Sequence, residues 1–244
     1  MNKKTIPERR HKPSNLESGK FEYKRDDYYK GVEKIKSLGY KTEDYFHYFP
    51  AYVGDMTLSR YLALYESYKA TLGLSGHIAD VGIFKGGSSF LFAKLMKIFE
   101  PNSLSQVHGF DWFEGNQPDS WEDKIIPGGG VESYSRIQEL VAAQKLGNIL
   151  KIHKLDLTKE LDKFFKEYPH LQFKMIFMDA GMYSVVKEAL PYFWDRLNVG
   201  GHLILDQYNF DIAPGETMAL KEILPDRQVK TYPFTWMPTA YIIK

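Results

Sequence analysis

The sequence contains no cysteine, which excludes disulfides, thiol catalysis and cysteine-based zinc sites. That absence fits a reducing cytoplasm, the expected location. Charge of one sign is also lacking: 32 Lys and Arg stand against 31 Asp and Glu, a formal net charge of +1. This balance gives no reason to expect nucleic acid or an anionic membrane as partner. No apolar run is long enough to span a bilayer, and the opening Met1-Asn2-Lys3-Lys4 leads into no signal-like core. A Gly-x-Gly-x-x-Gly dinucleotide loop is absent too, since the glycine loop here reads Gly82-Ile83-Phe84-Lys85-Gly86-Gly87. An NAD-type enzyme is therefore disfavoured. What is present is 244 residues with 43% hydrophobic content, enough for one α/β domain and an appendage.

The appendage is N-terminal. Residues 1–30 carry nine Lys or Arg against five Asp or Glu, with few aliphatics, and read as a flexible or partner-dependent arm. Residues 29–38 have the pattern of a short amphipathic helix ended by Gly39. Tyr45, Phe46, Tyr48, Phe49 and Tyr52 then form an aromatic run around His47 and Pro50. Such a run packs on the core, covers a pocket or joins copies of the chain, and a homo-oligomer is expected. The organisation expected is an arm and aromatic segment over 1–56, followed by one domain over 57–244. Thr57 is placed to cap a helix reaching Leu72, with Leu58, Tyr61, Leu62, Tyr65 and Tyr68 on one side.

From residue 77 the pattern alternates. Strands are predicted at 78–83, 106–111, 149–155, 173–178 and 202–205, with helices at 88–99, 133–145, 161–168 and 184–197 between them. A turn at Asn198-Val199-Gly200-Gly201 precedes the fifth strand. A short helix over 216–224 and two strand-like runs at 227–234 and 239–243 close the chain. Alternation of this kind means parallel crossovers and a sheet covered on both faces. Ligands then bind at the carboxyl ends of the strands, where Asp111, Asp156, Asp179 and Asp206 fall. Turns also favour Asp for local capping, which is the competing explanation. The strand–glycine loop–helix unit from His77 to Ser89 supplies close backbone approach and free helix N–H groups.

Ending on two consecutive strands, the chain resembles the Rossmann-like class I S-adenosylmethionine methyltransferase fold, mainly parallel with a C-terminal antiparallel hairpin. Six segments narrow the resemblance: Asp55–Arg60, the glycine loop, Gly109-Phe110-Asp111-Trp112-Phe113-Glu114-Gly115, Asp179-Ala180-Gly181-Met182-Tyr183, Gly200–Asp206 and Pro214–Thr217. In this order, over roughly residues 50–244, they resemble the macrocin O-methyltransferase family, which methylates sugar hydroxyls. The resemblance implies S-adenosylmethionine as cofactor and a sugar or sugar nucleotide as acceptor. Asp80, Gly82, Gly86, Gly87 and Ser88 would lie along the amino-acid end of the cofactor. Asp111 would meet its ribose, Asp156 its adenine amino group, and Trp112 and Phe113 would stack near the adenine or belong to the core. The family's Asp-x-Asp-x-Tyr pattern, which provides metal carboxylates, reads Asp179-Ala180-Gly181-Met182-Tyr183 here, and its later acidic pair reads Asp206-Gln207. With fewer carboxylates a Mg²⁺ site is doubtful, and no metal ligand is assigned.

Methyl transfer to a hydroxyl requires alignment and removal of a proton. Asp179 is the first candidate for base or substrate-orienting acceptor, in contact with cofactor as well as acceptor, with Tyr183 and Asp206 next. Of the histidines only His47 is placed to fold over the pocket. Glu216 caps its helix or reaches the site. The Gly- and Pro-rich loop from Asn116 to Ser133 suits a lid or acceptor-binding segment, or a plain surface loop. Two alternatives stay open: an amine or phosphoryl-linked acceptor, and a catalytically weak cofactor-binding assembly subunit.

Overall fold

A computed structural model describes residues 12 and 16–244. Part of the basic arm, residues 1–11 and 13–15, lies outside the described residues. Helix α1 spans Glu22–Ser37, starting earlier than the 29–38 pattern suggests. Helix α2 (Thr42–His47) and a 3-10 turn at Phe49–Ala51 contain no buried residue. The aromatic run therefore does not enter the core: Phe46, Tyr48 and Phe49 are exposed, and His47 is exposed beside Tyr48.

Helix α3 spans Asp55–Ala70 with Gly54 at its N-cap, so Thr57 lies inside the first turn and does not cap it. Its buried face is Ala63, Leu64, Ser67 and Tyr68, while Leu62 is exposed. That face follows the i, i+3, i+4, i+7 spacing of a helix stripe, and Arg60 extends it by one turn.

Seven strands form one sheet in the order β3-β2-β1-β4-β5-β7-β6. They are β1 (His77–Val81), β2 (Val107–Asp111), β3 (Leu150–Lys154), β4 (Phe173–Met178), β5 (Leu197–Leu205), β6 (Lys230–Thr231) and β7 (Ala240–Ile243). The first five are mutually parallel, while β7 runs antiparallel to β5 and to β6. All residues of β4 are buried, as a central parallel strand covered on both faces must be. Its alternate residues feed two cores. Ile176 and Met178 pack toward α7 (Tyr183–Arg196), α6 (Leu161–Glu167) and α8 (Gly215–Ile223), through Val186, Leu190, Phe193, Phe165 and Leu220. Met175 and Phe177 pack toward α3, α4 (Gly87–Phe99) and α5 (Tyr134–Ala143), through Leu64, Phe92, Leu95 and Ile137. Each such side chain removed from water contributes roughly 1.5–3 kcal/mol.

Two expectations near the end need correction. The Asn198–Gly201 turn is part of β5: the pairing steps from Phe173–Leu197 to Met175–His202, so the extra residues are taken up within the strand. The run at 227–234 yields only the two-residue β6, too short to be more than an edge. On α4, Phe92, Leu95 and Met96 are buried as their spacing suggests, Leu91 is half-buried, and Phe90 is buried with them.

Candidate active site

The chain runs from β1 outward to β2 and β3, then crosses back to β4 on the other side of β1. This reversal opens a crevice at the carboxyl ends of β1 and β4. The Asp179 N–H donates to the Val81 carbonyl at 2.8 Å, which sets the two strand ends side by side. Gly82 follows at φ +88°, and a Cβ there would lie 2.8 Å from the Asp179 carbonyl carbon. Only glycine permits that approach. Gly86 is the N-cap of α4, with Gly87 and Ser88 opening the helix.

Asp80 is fully buried beneath this loop. Its Oδ2 accepts hydrogen bonds from the hydroxyls of Ser88, at 2.7 Å, and Ser89, while Oδ1 has no partner among the described residues. A loop-orienting Asp80 would be expected to take backbone N–H groups, yet its partners are serine hydroxyls. Burial pushes its carboxyl up to about 6, against the pull of Ser89, Ser88 and Arg60.

Asp111 ends β2 between two backbones in the left-handed region, Phe84 at φ +47° and Phe113 at φ +66°. The Phe84 N–H donates to Asp111 Oδ2 at 2.8 Å and the Phe113 N–H to Oδ1 at 2.7 Å. Non-glycine residues pay about 1–3 kcal/mol for such conformations. The result is a carboxylate fixed by both oxygens at a strand end. Burial raises its pKa while those N–H groups lower it, with a net rise.

Opposite stands Arg60, which sequence reasoning left out of the site. Its guanidinium donates to Asp179 Oδ2 at 2.7 Å through Nη2 and to Asp206 Oδ1 through Nη1, and it lies over the Phe177 ring at 5.1 Å. Burial works against its charge, but Asp206 and Asp179 outweigh that and raise its pKa. Asp206 itself is buried, with its N–H on the Met178 carbonyl at 3.0 Å.

Below this trio Gly181 adopts φ +70°, and a Cβ on it would come 3.1 Å from the amide carbon of Gln207 and closer still to its oxygen. Gln207 thus fills the space where a side chain at 181 would begin. Its N–H donates to Glu216 Oε1 at 2.9 Å. Glu216 is fully buried and does not cap its own helix. Burial and the neighbouring Asp206 charge push its carboxyl well above the usual range. Gln207 Oε1 and Glu216 Oε2 are buried acceptors without partners among the described residues.

The loop after β2 is fastened down. Glu122 accepts the Tyr183 N–H at 2.9 Å, Asp119 accepts the Ser184 N–H at 3.1 Å, and Lys124 reaches Asp211 at 3.0 Å. Ile125 joins Met182, Phe210, Ile212 and Ala213 in a small apolar cluster beside them. The loop therefore caps α7 from a distance and walls one side of the crevice.

With that geometry in place, comparison decides the family. The profile described as a methyltransferase domain matches residues 79–208, more than half of the chain. The chain belongs to this methyltransferase family. It is an S-adenosylmethionine-dependent methyltransferase. The search of curated proteins found no match. Among solved structures, this methyltransferase is similar to CalS11, a calicheamicin methyltransferase, with TM-score 0.76 and 19% identity over 88% of this chain and 91% of the other. An apo structure of CalS11, described as a TDP-rhamnose 3'-O-methyltransferase, gives 0.75 and 19% over 96% and 97%. The O-methyltransferase NovP gives 0.61 and 15% over 76% and 79%. At these identities the likeness shows the fold, a mostly parallel seven-stranded sheet with antiparallel C-terminal strands.

The remaining expected residues of the methyltransferase fall in different places. Trp112 is half-buried next to Asp111. Phe113 is 4% exposed and edge-on to Tyr134, so its ring belongs to the core. Asp156 opens a turn, accepting from the Thr158 N–H at 2.9 Å and from Lys159 at 2.8 Å. The Tyr183 hydroxyl donates to Glu222 at 2.8 Å and accepts from Lys187 at 2.7 Å, so it is not brought to Asp179 and Asp206. Among the described residues no group of three or more His, Asp or Glu is arranged to hold a metal. The donors that would be needed do not fit one: Asp179 and Asp206 are spanned by Arg60, and position 181 carries no side chain. No helix among the described residues is long and apolar enough to cross a membrane.

Proposed function

We propose that this methyltransferase methylates a hydroxyl of a sugar or sugar nucleotide. The observation that carries the reading is the pair of fixed carboxylates flanking the crevice, Asp111 held by two backbone N–H groups and Asp179 held by Arg60. The first suits the hydroxyls of a ribose and the second an acceptor hydroxyl. The activity printed for CalS11, and a likeness that runs over nearly the whole chain, support a sugar as acceptor.

S-adenosylmethionine, when bound, supplies a methyl group on a sulfonium leaving group. Its amino-acid end is assigned to the loop of Gly82, Gly86, Gly87 and Ser88, where the unpartnered Oδ1 of Asp80 offers an acceptor for an ammonium group. Asp111 is assigned the ribose, and Trp112 and Asp156 the adenine side, with Phe113 supporting from the core. Asp179 orients the acceptor hydroxyl and takes its proton as the oxygen–carbon bond forms, while the carbon–sulfur electron pair stays on sulfur. Asp206 holds Arg60 in register with Asp179 and does not take the proton itself. The loop fastened to α7 by Glu122 selects the acceptor.

The test is product analysis with S-adenosylmethionine and a panel of nucleotide-activated deoxysugars. The reading expects a methyl ether on a ring hydroxyl, with kcat lowered about 10²–10⁴-fold in Asp179→Asn. Methylation of an amino sugar in preference to its hydroxylated counterpart would overturn the O-methyl assignment.

A further inference from the structure

We infer that Arg60 is the resident cation of this active site, so that methyl transfer by this chain proceeds without a divalent metal. The inference deepens the proposed function and rests on it for the identity of the reaction. Three observations carry it. First, the guanidinium spans the two carboxylates, Asp179 and Asp206, with one nitrogen on each. Second, it is half-buried and lies over the Phe177 ring at 5.1 Å, and the two acids outweigh the burial so that its charge is kept. Third, the surroundings of the guanidinium leave no place for a further carboxylate. The space at Gly181, where another carboxylate would have to begin, is filled by the Gln207 amide, and Glu216 beneath is held toward its neutral form.

A hard cation needs several charged oxygens and a shell it can dehydrate into. Here it would have to displace a planar, two-pronged, permanently charged group from both of its acids. Arg60 then does the work of positioning: it fixes the Asp179 carboxylate toward the crevice and offsets the like charge of Asp206. It is a positioning residue and touches neither methyl group nor acceptor.

The test uses the full chain with S-adenosylhomocysteine and does not depend on knowing the acceptor. Mn²⁺ binding is followed by electron paramagnetic resonance in the wild type, in Arg60→Ala and in Arg60→Lys. The wild type is expected to leave Mn²⁺ free, and Arg60→Ala to gain a site at least about tenfold tighter, since removing one close positive charge is worth that much. Unchanged S-adenosylhomocysteine affinity shows that the variants are folded. Where a sugar nucleotide is turned over, EDTA leaves wild-type kcat unchanged. Arg60→Ala lowers kcat at unchanged cofactor KM, with partial rescue by Mg²⁺. A wild type that binds one Mn²⁺, lost again in Asp206→Asn, overturns the inference, as does full turnover by Arg60→Ala in EDTA. Failure to bind S-adenosylhomocysteine at all would instead sink the proposed function, while the Mn²⁺ result still decides the role of Arg60.

Discussion

Gln207 places its side-chain amide in the space that a Cβ on Gly181 would occupy, 3.1 Å from the amide carbon. The two residues are separated by α7 and β5 in sequence, yet a side chain at 181 would require the Gln207 amide to move. Gly181→Ala is expected to lose roughly 2–4 kcal/mol, from the left-handed backbone at φ +70° and from overpacking. Adding Gln207→Ala returns the packing part and leaves the backbone part. Urea unfolding of the two single variants and the double variant measures that coupling. Strict additivity would mean that the contact carries no energy.

Asp80 makes a pH prediction. Its carboxyl titrates near 6 in the folded chain against 3.8 as a free group, with burial as the main cause. Between those values the native state keeps a proton that the unfolded state has released, so its contribution makes stability fall as pH rises from about 4 to 6. Below that window the contribution is fully retained, and above it the loss is complete. Asp80→Asn removes the titration while keeping an acceptor for Ser88. The difference in unfolding free energy between wild type and variant should therefore shift in favour of the variant across this window. A difference that does not vary with pH would show that Asp80 is not shifted.

Glu122 supplies a cap that the sequence neighbours of α7 do not. Its Oε1 holds the Tyr183 N–H at 2.9 Å and its Oε2 the Asp119 N–H at 2.9 Å. Glu122→Ala is expected to cost about 1–3 kcal/mol by orphaning those donors. Amide hydrogen exchange should speed up at Tyr183 and Ser184 first, while β4 stays protected. On the proposed function, acceptor KM rises and cofactor affinity is unaffected. Unchanged exchange at Tyr183 would place the cap elsewhere.

The parallel core was legible because its strands are short apolar runs bounded by turns, and Phe173–Met178 came out with the bounds its composition suggests. The strand-end acids were legible for the same reason, since Asp111, Asp179 and Asp206 sit where such runs stop. Arg60 was missed, although a signal existed. It falls on the stripe of Ala63, Leu64, Ser67 and Tyr68, the face of α3 that is buried, and a charge on a buried stripe needs an opposite partner. Taking the stripe as Leu58, Tyr61, Leu62, Tyr65 and Tyr68 shared only Tyr68 with the buried face and rotated Arg60 out of view. The caps on α7 could not be read, because Glu122 and Asp119 act across 61 and 65 residues. Glu216 was half-read: its place at a helix start suggested local capping, and only the fold shows it pressed under Gln207.

The most direct measurement is calorimetric titration of the purified chain with S-adenosylhomocysteine, for the wild type and Asp111→Ala. The account predicts one-to-one binding, weakened roughly 10- to 100-fold in the variant, the loss expected for hydrogen bonds to a charged acceptor. A folded wild type that does not bind, or an Asp111→Ala protein that binds equally well, would contradict it.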